Sequence, residues 1–286
     1  VYNKKKPFIN SKKIIWKKAN LLIYRDCLKI TKNINIIFQF AATTSGSKDI
    51  INEPFLHVTD NAVMNSYLLR ACYVNKVKHF IFPSCTVIYK NSNRPLKENQ
   101  IDEKKIFSNY FGVGHTKLYI EKMCKFYSNI SKIKFSIIRH SNIFGQFDKF
   151  DLKKGHFVGS SIKKVFSNNN KFIKIFGEGD EKRDILYVDD FIKFLHNLIA
   201  FQNKNFEIFN CSYGKSFSVI DILKKIIKIS KKELKIIKLK NKKSIKVNIS
   251  VSSSKAKRKL KWHPKFSIDS GLEKSVSWFL KNEKFL

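Results

Sequence analysis

Short apolar runs alternate along this chain with longer stretches whose apolar residues recur every three or four positions. Asn35-Ile36-Ile37-Phe38-Gln39-Phe40 reads as a buried strand, and Val77–Phe82 and Lys134–Ile138 as two more. Between them, Thr59–Val74 and Val113–Tyr127 carry apolar residues at helical spacing and predict amphipathic helices. Strands alternating with helices of this length predict right-handed βαβ units, and so an α/β fold around a doubly wound parallel sheet. After about Gly145 the rhythm loosens. Gly177-Glu178-Gly179-Asp180 interrupts short strands, and helices follow at Asp189–Phe201 and Val219–Ile229. A smaller C-terminal lobe, interleaved with the end of the sheet, is the expectation. There is no internal repeat, and Lys231–Lys246 comes nearest to low complexity.

Composition adjusts this picture only at the margins. With 286 residues, 43% of them hydrophobic, the chain can bury one large core or a large core plus a smaller lobe. No run of about eighteen apolar residues occurs, so no membrane span is expected. Val1–Asn10 is basic but lacks the apolar stretch of a signal peptide. Cys27, Cys72, Cys85, Cys124 and Cys211 are scattered and show no CxxC spacing, which points to reduced thiols in a cytoplasm and to no metal set. The formal charge of +35 invites a nucleic-acid reading. Against it, only six of the basic residues are arginine, the lysines are spread evenly, and no zinc-finger or aromatic RNA-binding motif occurs. The expectation is a solvated lysine surface that attracts anionic substrates, with no specific nucleic-acid partner.

A series of motifs narrows the reading. Phe176-Gly177-Glu178-Gly179 followed by Arg183-Asp184-Ile185-Leu186-Tyr187-Val188-Asp189-Asp190 closely resembles the G-x-G…R-D-x-x-Y-V-D-D segment of nucleotide-sugar epimerases and dehydratases. Other blocks resemble that family in the expected order: Phe40-Ala41-Ala42 after a strand, Asn61 opening a helix, Ser84-Cys85-Thr86-Val87-Ile88-Tyr89, Arg139-His140-Ser141-Asn142-Ile143-Phe144-Gly145, Asn210, and Leu260-Lys261-Trp262-His263-Pro264. The resemblance is to the extended short-chain dehydrogenase/reductases and covers nearly the whole chain. Within the family it looks most like the GDP-L-fucose synthases, through Asp148–Val158 with Gly155-His156-Phe157-Val158 and through Lys117–Tyr127. It implies a Rossmann-like sheet, a nicotinamide cofactor and a nucleotide-diphosphate sugar as substrate. Residues 1–145 would then be the dinucleotide-binding domain and 146–286 mainly the substrate-binding lobe. Such a sheet opens with a glycine-rich phosphate turn. None of the ten glycines forms one, and Val1-Tyr2 reads as the end of a second strand, so the first βα unit is expected to be missing from this chain; a fold that never had the loop is the alternative.

The chemistry of a 4-keto sugar sets what to look for. The ketone acidifies protons on the neighbouring carbons, so epimerisation needs a base on one face and an acid on the other. Cysteine and histidine suit that work. By resemblance His156 is the histidine, whereas the family cysteine falls at Val87; Cys85, two residues earlier on the same strand face, is about 7 Å away. Ser84 or Thr86 supplies a hydroxyl. In the family, Y-x-x-x-K places a proton-donating tyrosine one turn before the lysine. Lys117 matches, but the residue four before it is Val113. Tyr110 is the nearest replacement, about 10 Å back along a regular helix, and Gly112 and Gly114 let the chain bend, or the helix start late, so that it comes over the site. His115 is a second candidate acid. Resemblance further assigns Arg183 and Asn142 to the substrate, and Asn20, Ala41, Ala42, Asn142 and Lys117 to the cofactor. Asn3-Lys4-Lys5-Lys6 favours NADP(H) over NAD(H), because basic residues suit the extra phosphate. Asp189 and Asp190 read as a helix N-cap and first-turn acid, Trp262 as a packing anchor, and His140 and His196 as structural, while His57, just ahead of the helix at Thr59, carries no signal. Three readings stay open: an epimerase/reductase, another 4-epimerase or dehydratase, and a catalytically inactive dinucleotide-binding relic. A homodimer is expected by analogy.

Overall fold

The computed structural model describes residues 1–4, 9, 11–44, 52–152, 155–167, 171–239 and 246–283. Lys5 and Lys6, residues 153–154 of the Asp148–Val158 block, and residues 240–245 of the lysine-rich stretch lie outside them. The central sheet is parallel and four-stranded, in the order β1 (Ile36–Phe38), β2 (His79–Pro83), β3 (Lys134–His140), β7 (Phe206–Cys211). Its register runs Ile36 to His79, His79 to Lys134, and Phe135 to Phe206.

The two-residue period of the strands sorts their side chains between two cores. Phe80, Phe82, Phe135 and Ile137 face one side, against α1 (Tyr24–Thr31), α2 (Thr59–Val74) and α3 (Phe111–Ile130), where Leu68, Leu69, Cys72, Ile120 and Cys124 close the layer. Ile81, Ile138 and Phe209 face the other, against α5 (Val188–Phe201) and α7 (Ser254–Leu260), with Phe194 and Trp262 at its centre. Helices on both faces cover β2, β3 and β7, as the alternating pattern predicts. The strand read at 35–40 differs. Only Ile36–Phe38 pairs, and Ile36, Phe38 and Phe40 are 37%, 41% and 51% exposed. Among the described residues β1 bonds to β2 alone.

A second body of structure follows His140. Strands β4 (Asn142–Phe144), β6 (Lys182–Tyr187) and β8 (Ser216–Ser218) form one small sheet, and β5 (Phe172–Phe176) pairs with β9 (Lys235–Leu239). Together with α4 (Phe157–Phe166), α6 (Val219–Ser230) and α8 (Ile268–Asn282) they enclose Phe144, Ile162, Ile185, Tyr187, Ile222, Leu272 and Phe279. Gly145 sits at φ +151°, where a Cβ would lie 2.5 Å from Val188 Cγ1, so glycine is what lets β4 turn away beside α5. The Asp pair departs from its sequence reading. The N-cap of α5 is Tyr187, not an Asp, and both acids lie in the first turn. Asp190 is buried because its carboxylate accepts the Lys265 and Phe266 N–H groups while its carbonyl accepts the Trp262 indole N–H. That ties α5 to the 262–266 loop.

Candidate active site

Parallel strands leave their carboxyl ends on one edge, and in open α/β sheets that edge is where ligands sit. Several of the candidate residues read from the sequence follow the ends of these strands. Ala41 and Ala42 follow β1 and are exposed; their loop is held by Asn61, whose side chain accepts from Thr43 N and donates to Thr43 O at 3.0 Å each. Ser84, Cys85 and Thr86 follow β2, and His140 and Asn142 end β3 and open β4. Asn20 precedes α1, with its side-chain carbonyl accepting from Leu22 N and its own N–H donating to Asp26.

The chain does not stay extended after β2. Strand pairing stops at Pro83, and Thr86–Ile88 forms a 3-10 turn. Cys85 and Val87 therefore do not share a strand face as read above; instead the Val87 N–H bonds back toward the Cys85 thiol. Of the five cysteines, Cys85 alone is partly exposed, the other four being 0% exposed. Its thiol is nonetheless desolvated. Burial pushes it up, against the opposing pull of Lys117 and the Val87 N–H. Ser84 is 1% exposed, and its hydroxyl is without a hydrogen-bond partner among the described residues.

Helix α3 supplies the rest. Lys117 Nζ donates to the Pro83 carbonyl at 2.9 Å and lies 4.6 Å from the centre of the Phe82 ring. Burial lowers its basicity, while Cys85 and Glu121 support its charge. Val113, one turn before Lys117, occupies the position of the family tyrosine. Tyr110 is the N-cap of α3, its ring packed on Phe107 with centroids 6.1 Å apart. Its phenol is raised by burial, with Arg183 acting to lower it and Cys85 to raise it, and both Tyr110 and Cys85 pack against the cluster of Ile88, Ile106 and Leu118. The glycines do not bend the helix. Gly112 and Gly114 lie within its first turn, where a Cβ would come 2.9 Å from Val58 Cγ2 or 3.0 Å from Ile106 Cγ2. They allow close packing, and Tyr110 reaches the pocket because the helix starts just after it. His115 stacks on Phe111 at 4.4 Å, about 200° around the helix from Lys117. It points away from this cluster.

The far wall comes from β3, β6 and α4. His140 shares a 2.8 Å bond between Nδ1 and the Ser141 carbonyl and stacks on Phe191. Burial holds it down to about 4, with Lys117 and His156 acting the same way. His156 is the exposed N-cap of α4 and makes no capping bond. It is near enough to Asp148 to oppose the rise that burial imposes on that carboxyl. Arg183, on β6, donates to the Val247 carbonyl at 3.1 Å, and Asn142 Nδ2 donates to Asp184 O at 3.3 Å. Beneath the cluster lies a pair that had no assigned role. Arg139 donates to both carboxylate oxygens of Glu121, at 3.1 and 2.7 Å, with each side chain 5% exposed. The signal was present, since Glu121 stands four residues after Lys117 on one helix face.

A dinucleotide is accommodated in part. The open Ala41-Ala42 backbone, the orphaned Ser84 hydroxyl and Lys117 suit its nicotinamide-ribose half. No glycine-rich turn is present in the sequence for its pyrophosphate.

Comparison with known proteins agrees with this geometry. A GDP-L-colitose synthase from Yersinia pseudotuberculosis is 24% identical over 255 residues, covering 87% of this chain and 82% of its own. A UDP-glucuronate 4-epimerase from Thermodesulfobacterium geofontis is 27% identical over 257 residues, covering 88% and 74%. Among solved structures, a UDP-glucose 4-epimerase from Thermotoga maritima superposes with a TM-score of 0.81 at 23% identity, over 92% of this chain and 83% of that one. An epimerase from Methanothermobacter thermautotrophicus gives 0.84 at 20% identity, over 97% and 81%. The family model for the NAD dependent epimerase/dehydratase family matches residues 2–212. With its parallel sheet, its motif order and that match, the chain belongs to the NAD dependent epimerase/dehydratase family of enzymes.

Proposed function

We propose that the chain epimerises and reduces a 4-keto-6-deoxy sugar nucleotide, as the GDP-L-fucose synthases do, with NADP(H) preferred to NAD(H). The observation that supports this is the placement of Cys85 and Tyr110 against one apolar cluster with Leu118 of α3, beside the Lys117 bond to the Pro83 carbonyl at the end of β2, with His140 at the end of β3 and His156 at the start of α4. A likeness to a protein named GDP-L-colitose synthase supports a nucleotide-linked sugar. The exposed Asn3 and Lys4 support the choice of cofactor, and the free thiols support a reducing cytoplasm. Residues 1–145 serve as the cofactor-binding part and 146–286 mainly as the substrate lobe.

In this reading Arg183 and Asn142 hold the nucleotide end of the substrate, and Ala41, Ala42, Asn20 and Lys117 hold the cofactor. When bound, the cofactor supplies the hydride that reduces the ketone. The thiol of Cys85, kept protonated by burial, gives a proton to the sugar carbon, and the exposed imidazole of His156 takes one from the opposite face. The proton at the carbonyl oxygen comes from Tyr110, with Lys117 stabilising the phenolate left behind. Thr86 and Ser84 orient the substrate hydroxyls. Tyr110→Phe is expected to lower hydride transfer about a hundredfold with folding unchanged, followed as cofactor oxidation in single turnovers. Full activity in the variant would remove Tyr110 from the mechanism.

A second reading, an inactive relic, is favoured by Val113 in the tyrosine position. It predicts nucleotide-sugar binding with no turnover in wild type. A 4-epimerase or dehydratase would be separated by mass spectrometry of the product. The partner we infer is a second copy of the chain, docked on α2 and α3. There Tyr67, Tyr73, Val74, Tyr119, Phe126 and Ile130 form an apolar face between 36% and 53% exposed.

A further inference from the structure

We propose that Glu121 and Arg139 are positioning residues whose opposite charges, placed beneath Cys85 and Lys117, keep Cys85 a thiol beside a Lys117 ammonium. The inference rests on the reading of Cys85 and Lys117 as working groups, but its test does not need turnover.

The geometry is that of a built device. Arg139 is buried in β3 and clamps both oxygens of Glu121. Its remaining nitrogen donates to the Tyr89 hydroxyl at 3.0 Å and the Glu98 carbonyl at 2.7 Å. Tyr89 in turn donates to Asn210 Oδ1 at 2.7 Å, and the Asn210 N–H donates to Glu98. Tyr89 ends the same turn that carries Cys85, and Gly114 brings α3 to that turn, a Cβ there lying 3.9 Å from the Val87 carbonyl. One network therefore locks the turn, the helix bearing Lys117 and the central strand. Breaking a buried pair leaves an uncompensated charge, so such pairs impose strict local charge balance.

The charged and titratable groups around Cys85 are Lys117 and Glu121 from α3, Arg139 from β3 and Tyr110 at the helix start. His140, from β3, also faces Lys117. Glu121 disfavours the Cys85 thiolate and supports the Lys117 ammonium; Arg139 favours the thiolate. The two act on Cys85 in opposite senses. Removing either one tips the balance, and the two removals tip it in opposite directions. A purely structural pair would instead make both variants change Cys85 the same way, by loosening the turn.

The test is alkylation of Cys85 by iodoacetamide as a function of pH, read by peptide mass spectrometry on the full chain; the four buried cysteines report folding in the same digest. Glu121→Gln is expected to move the Cys85 profile down by about one pH unit, and Arg139→Gln to move it up by a similar amount. The double variant is expected to return to the wild-type profile. Shifts of the same sign in both single variants, or none in Glu121→Gln, would overturn the proposal. Should Arg139→Gln expose the buried cysteines, the sign of the Glu121→Gln shift decides alone.

Discussion

At the residue scale, candidate side chains are easier to read from the sequence than the way they are held. The substitution of Val113 for the family tyrosine is visible in one line, as are Lys117, Cys85 and His156. Of the two outcomes expected from Gly112 and Gly114, the helix starts late, at Phe111, and does not bend; the glycines themselves make room for Val58 and Ile106. Buried polar pairings were not legible, since they join residues far apart in sequence. His79 shows this. It donates Nε2–H to Ser136 Oγ at 2.6 Å, because the single hydroxyl proton of Ser136 is committed to Gln202 Oε1 at 2.5 Å. Burial lowers His79 from 6.5 to about 4. Between those values the unfolded chain binds the proton and the folded one does not, so stability falls as pH drops through that window. The loss amounts to about 3 kcal/mol by pH 4. His79→Gln keeps a donor without a titrating group. Urea unfolding of both proteins should show wild type losing stability relative to the variant from pH 6.5 to 4, and a constant difference would contradict the assignment.

At the scale of elements, the strand–helix alternation located β2, β3 and the helices around them because hydrophobic period reports burial. At β1 the same kind of apolar run pairs only over Ile36–Phe38 among the described residues. The small lobe was hardest to read, its strands being three to six residues long and packed through helices distant in sequence. Helix α8 illustrates how that lobe closes. Gly271 in its first turn lets the helix sit on two buried rings; a Cβ would meet Phe144 at 2.9 Å and Tyr187 at 3.1 Å. In an exposed helix Gly→Ala would gain about 1 kcal/mol. Overpacking against rings that cannot retreat costs about 1–3 kcal/mol, so Gly271→Ala is expected to destabilise, seen as a lower urea midpoint with unchanged slope. A raised midpoint would mean that the rings move aside.

At the scale of the whole molecule, two surface properties shape behaviour. The charge of +35 gives an anionic substrate a long-range pull that salt screens. The apolar face of α2 and α3 calls for a partner, and light scattering is expected to report twice the chain mass, falling to one chain mass in Phe126→Glu. A wild-type monomer would leave that face unexplained. No helix among the described residues is long and apolar enough to cross a membrane. The central claim, that opposed acid and base groups epimerise a keto sugar in this pocket, concerns proton exchange at carbon. It is tested most directly by incubating the enzyme with a 4-keto-6-deoxy sugar nucleotide in heavy water, without cofactor reduction, and reading deuterium in the recovered sugar by mass spectrometry. The account predicts incorporation at the carbons beside the ketone by wild type and none by His156→Asn that still binds the sugar nucleotide; undiminished incorporation in that variant, or none in wild type, would contradict it.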